Sequence, residues 1–109
     1  MSRFLKKCMP MLQSYCSIKS KRKRAVFLKH FEQCILKAAQ EMSLNTLRGN
    51  VHMTNHQKAK LRRYKNALIS LSQNKVPRYK RRKIILQSGS GLLPLLLPLV
   101  LSAVSSLRS

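Results

Sequence analysis

The sequence predicts a mostly α protein: a small helical hairpin plus a short basic helix, with a disordered N-terminal arm and an apolar C-terminal tail. Three observations lead there. Between positions 24 and 73 apolar residues recur at three- and four-residue steps, the spacing of one helix face. Thr54-Asn-His-Gln57 has the form of a capping box, while Gly49 and Pro77 supply breaks on either side. Finally, 23 Lys and Arg against two acidic residues give a net charge of +21, more than a thin core can hold in a rigid globule from end to end.

Residues 1–24 form the basic flexible arm, ending in Lys19-Ser-Lys-Arg-Lys-Arg24, a block that cannot bury itself. Arg3, Lys6 and Lys7 precede the apolar run Cys8-Met-Pro-Met-Leu12, which is too short for a signal peptide. An amphipathic helix and turn occupy 25–53. Phe27, Leu28, Phe31, Cys34, Ile35, Ala38 and Met42 make its core stripe, and Gly49 suits the positive φ of the break.

The basic helical region is 54–87. Its first helix starts at the capping box and carries a narrow stripe of Leu61, Tyr64, Leu68 and Leu71, with cations over much of the remaining circumference. Lys75-Val-Pro77 stops it, and Pro77 suits the first turn of a further helix that ends in Ile84-Ile-Leu86. A Gly/Ser linker at 88–91 leads to the apolar Leu/Pro tail, 92–109. The tail's apolar stretch, 92–107, is 16 residues long with two prolines, short of the ~20 that cross a bilayer as a helix.

Catalysis is not expected. Glu32 and Glu41 are the only carboxylate side chains, both on one predicted helix, and no nucleophile–base pair or phosphate loop is present. Cys8, Cys16 and Cys34 lack zinc-site spacing and read as free thiols. His52 and His56 are four apart, but a helix starts between them, so they read as exposed polar residues at a turn. Neither metal nor cofactor is expected.

What remains is electrostatic. Lys and Arg that neutralise phosphates release condensed counterions, so affinity rises as salt falls. Candidate nucleic-acid ligands are Lys19, Lys21, Arg22, Lys23 and Arg24; Lys58, Lys60, Arg62, Arg63 and Lys65; and Arg78, Lys80, Arg81, Arg82 and Lys83. Tyr79 interrupts the densest cluster, where it could stack on a base or shield a stem. Mobile cations on a thin core give no means of reading base edges, so binding to double-stranded DNA is expected to be indifferent to sequence.

The run Arg81-Arg-Lys83, then Gly89-Ser-Gly91-Leu-Leu-Pro-Leu-Leu-Leu-Pro98-Leu-Val-Leu, resembles the C-terminal half of the adenovirus core protein X precursors, which yield the mature mu peptide. Upstream, Leu47-Arg-Gly-Asn-Val51, Gln57-Lys-Ala-Lys-Leu-Arg-Arg63 and Lys75-Val-Pro77 are similar to core-protein-X-like reading frames of Polinton or adintovirus elements. The resemblance implies a virion core protein that compacts linear double-stranded DNA in the host nucleus, made as a precursor and cut by a viral cysteine protease. The cut would fall at Gly89, Ser90 and Gly91, between Ser90 and Gly91, although Gln87 stands where the family more often has Leu, Ile or Met. Two other readings stay open at this point: a membrane-active or membrane-anchored cationic protein using 92–107, and an RNA-binding accessory protein.

Overall fold

The computed structural model describes residues 3–49, 53–87 and 92–98. Helix α1 (Arg3–Ser17) carries Leu5, Cys8, Met9, Leu12 and Tyr15 on one face, and all five are buried. Pro10 lies inside this helix on its exposed side, where water can reach the carbonyl that loses its amide partner. Helix α2 (Lys21–His30) is capped by Ser20, whose hydroxyl accepts from the Lys23 amide at 3.3 Å.

Helix α3 (Glu32–Leu47) follows after Phe31 alone. Phe31 leaves helical dihedrals (φ −117°, ψ 28°), yet its amide donates to the Phe27 carbonyl at 3.1 Å and its carbonyl accepts from Ile35 at 3.0 Å. The junction is therefore a kink in one helical run, and the stripe read across it stays largely on one side: Leu28, Ile35, Ala38 and Met42 are buried, Phe27 and Cys34 half-buried, and Phe31 more exposed. Beyond the end of α3, Gly49 takes φ +74°, as its place in the sequence predicts.

Helices α4 (Asn55–Arg62) and α5 (Lys65–Ser72) are separated by a turn at Arg63 and Tyr64. The capping box is formed: the Gln57 amide donates to Thr54 Oγ1 at 3.2 Å, and the Thr54 amide donates to Gln57 Oε1 at 2.9 Å. Helix α6 (Arg78–Gln87) begins after Pro77, whose carbonyl accepts from the Lys80 and Arg81 amides, both at 3.1 Å. A seventh helix, α7, spans residues 92–98. The mostly α architecture predicted from the sequence is what the structure shows, with no strand among the described residues.

The core is built around α3. It packs most extensively along α5 and α1 and also meets α2 and α6, and Ala38 and Ala39 let neighbouring backbones approach closely. Gln40 ties α3 to the α5–α6 connection, its Nε2 donating to Asn74 Oδ1 at 2.6 Å and to the Ser72 carbonyl at 3.4 Å. Tyr15, Phe27 and Phe31 form a chain of tilted rings, with centroids 6.5 and 4.7 Å apart along it.

Three expectations are corrected. The N-terminal segment is not a disordered arm over its described part. It is helical, and its five buried residues belong to the common core. Cys8 and Cys34 are not free thiols but form a disulfide between α1 and α3, with Cα atoms 5.7 Å apart; Cys16 alone remains free. The apolar tail is not separate over 92–98, where Leu92, Leu93, Leu96 and Leu97 are buried in the same cluster as the α3 side chains. One tendency underlies all three: apolar side chains from both ends of a strongly cationic chain gather into one core.

Replacing Leu96, 0 % exposed, by Ala is expected to lower stability by about 2–5 kcal/mol in urea unfolding, whereas an unchanged midpoint would place 92–98 outside the core. Reduction of Cys8–Cys34, which are 26 positions apart, should cost about 3 kcal/mol through released loop entropy. Comparing unfolding with and without dithiothreitol, alongside the Cys8→Ser/Cys34→Ser variant, measures that cost.

Candidate nucleic-acid interface

The three basic clusters predicted from the sequence lie on different helices, and packing brings two of them together. Lys21 to Arg24 occupy the first turn of α2 and Arg78 to Lys83 the first half of α6, and these helices pack on each other and on α3. Lys19 precedes the cap of α2 and is exposed. Lys58, Lys60 and Arg62 project from α4, with Arg63 at the turn and Lys65 at the start of α5. Leu61 is the buried residue of α4, so most of that helix's circumference faces water.

Burial sorts the predicted ligands. All are exposed except Arg24, Arg81 and Arg82, which are half-buried. Arg82 is partly committed: its Nη1 is 3.4 Å from Glu32 Oε1, in an ion pair half open to solvent and worth at most about 1 kcal/mol. Arg24 donates from Nη1 to the Ile18 carbonyl at 3.4 Å, closing the α1–α2 connection, while its Nε is buried with no partner among the described residues. Arg81 Nε is likewise buried and unpartnered. Tyr79 is 59 % exposed, leaving its ring face open for stacking on a base.

Lys29 on α2 and Lys37 on α3 are exposed cations on the polar face that helical spacing predicts for them, outside the predicted ligand clusters because they stand singly rather than in a run. Lys37 Nζ sits 4.8 Å from the centroid of the Phe4 ring, a cation–π contact that steadies the ammonium without neutralising it.

Tyr15 is fully buried, its hydroxyl has no partner among the described residues, and burial raises its pKa against the opposing pull of Arg24. Burial also pushes the Cys16 thiol up to about 11. Among the described residues no group of three or more His, Cys, Asp or Glu side chains could hold a metal, and no helix is long and apolar enough to cross a membrane. His52 and the predicted cleavage residues Gly89, Ser90 and Gly91 lie outside the described residues. Compared with known protein families, curated sequences and solved structures, the chain gives no match.

The raised pKa keeps Cys16 protonated, and so slow to react, until the pH nears 11. Iodoacetamide at pH 8 is expected to modify Cys16 far more slowly than an unstructured cysteine peptide, with the rate still climbing past pH 9. A plateau by pH 9 would show an ordinary exposed thiol.

Proposed function

We propose that this chain is a sequence-nonspecific DNA-binding and DNA-condensing protein, with the cations of α2, α4 and α6 as its phosphate ligands. The observation that carries the reading is the exposure of these clusters on helices that hold almost no acid: two carboxylates cannot neutralise 23 cations, so the surface requires a polyanion. A rigid cationic surface built on several helices can engage neighbouring duplexes at once and thereby condense them. Nothing in the distribution of side chains favours one base sequence over another.

The narrower reading, a core protein of a virus or virus-derived mobile element made as a precursor, rests on the likeness of the basic, Gly-containing and Leu-Pro segments to core protein X precursors. The buried leucines of α7 give that reading a physical consequence. Cutting between Ser90 and Gly91 would detach four side chains that lie in the core, so release of the tail would loosen the helices that carry the cations. A virion is also a setting in which a disulfide such as Cys8–Cys34 persists, whereas a reducing nucleus would open it.

Fluorescence anisotropy with unrelated 20-base-pair duplexes should give equal affinities, with log K falling on log salt with a slope of about −9 if roughly ten phosphates are engaged. Light scattering should show condensation of long DNA near charge neutrality. Salt-insensitive binding, or none, would overturn the proposal, and a clear preference for RNA of equal length would move the partner to RNA.

A further inference from the structure

We infer that the junction of α3 and α6 is a built pocket for a backbone phosphate of the nucleic acid, distinct in kind from the diffuse cationic surface around it. The inference rests on the nucleic-acid reading above and assigns one site within it. The pocket is a cleft of about 310 Å³, lined by Gln33, Lys37 and Gln40 from α3 beside the apolar Leu36, Asn74 from the α5–α6 connection, and Arg78 and Arg81 from α6. Among the described residues no carboxylate lines it. The lining thus holds three cations and the free amide N–H groups of Gln33 and Asn74, those of Gln40 being taken by Asn74 and the Ser72 carbonyl.

Two features separate this cleft from a chance gathering of charges. First, Arg81 Nε is buried and has no hydrogen-bond partner among the described residues, an arrangement that costs free energy unless an acceptor completes it. Second, the donors are held in place. The Gln40 amide donates to Asn74 Oδ1 at 2.6 Å, which uses that oxygen as an acceptor and leaves the Asn74 N–H groups to donate elsewhere. Lys37 is steadied over Phe4, and cation–π contact consumes none of its N–H donors.

A tetrahedral oxyanion suits this set. A phosphate offers several acceptor oxygens to donors arriving from different sides, and arginine matches them through its planar fork. The surroundings favour a phosphate within a polyanion over an isolated carboxylate, because the exposed Lys80 and Lys83 on other faces of α6 add to the positive field around the cleft. The cleft is also roomier than a bare anion needs, and so has space for the sugars on either side of a phosphodiester.

The test uses the full chain and two probes, a 20-base-pair duplex and pyrophosphate, the latter small enough to sample one site rather than the whole surface. Lys37→Gln/Arg81→Gln is compared with Lys6→Gln/Arg48→Gln, which removes the same charge from exposed positions outside the lining. Arg81→Lys keeps the charge and deletes the buried Nε donor, so it reports on the site even if the double variant folds poorly. In the parent and the Lys6/Arg48 variant, pyrophosphate should bind one to one by calorimetry, and duplex DNA should shift the Arg81 Nε–H resonance. Arg81→Lys should weaken pyrophosphate about tenfold, and the Lys37/Arg81 variant should lose at least tenfold more duplex affinity than the Lys6/Arg48 variant. Equal losses in the two charge-matched variants with an unmoved Arg81 resonance would overturn the pocket while leaving DNA binding intact. Pyrophosphate binding by a parent chain that shows no salt-dependent duplex binding would overturn both readings and mark a free-phosphate site. Poly-glutamate outcompeting the duplex at Arg81 would assign the cleft to an acidic protein instead.

Discussion

Mutual repulsion among the cations is the constraint that every element of this fold must meet. With a net charge of +21 on 109 residues, the folded state gathers like charges that the unfolded chain keeps apart. Apolar burial supplies the opposing force, and the chain has little to spare: the middle helices alone offer a thin stripe. Packing of α1 on α3 and burial of the α7 leucines in the same cluster enlarge the core from both ends of the described chain, and the Cys8–Cys34 disulfide holds one of those additions in place. Each cation that meets a phosphate turns repulsion into attraction, so polyanion binding and folding favour each other.

The same constraint decides how the cations are arranged. Long basic side chains can lay their stems along apolar surface while their heads stay in water, which lets α2 and α6 pack although their first turns are almost wholly Lys and Arg. Where a head group is drawn inward the consequences differ from site to site. Arg82 finds Glu32, Arg24 closes onto the Ile18 carbonyl, and Arg81 lines a cleft while its Nε stays buried without a partner among the described residues. Half-burial thus distinguishes arginines of two basic runs that look uniform in sequence: one in an ion pair, one closing a helix connection and one with a buried donor unpartnered among the described residues.

The disulfide joins stability to environment. It clamps the helix that contributes Leu5, Leu12 and Tyr15 onto the central one, so reducing conditions weaken the attachment of α1 without removing a single apolar side chain. Cys16, on the same helix, has no part in this: it is half-buried and held protonated by burial.

The sequence by itself determined what short-range chemistry controls: the helical class, the capping box at Thr54 and Gln57, the left-handed Gly49, the stop at Pro77, and the stripes of Leu28, Ile35 and Met42 and of Leu61, Leu68 and Leu71. The cationic character of the candidate interface was equally legible, since two acids cannot mask 23 bases in any fold. The stripe of α1 was overlooked because Pro10 and the adjacent basic residues hide a regular three- and four-residue spacing. Tertiary structure alone decided that Cys8 meets Cys34, that the leucines of 92–98 enter the core, and that Lys37, Arg78 and Arg81 share one cleft. Those outcomes depend on which helix faces touch, a property of residues distant along the chain that local spacing does not encode.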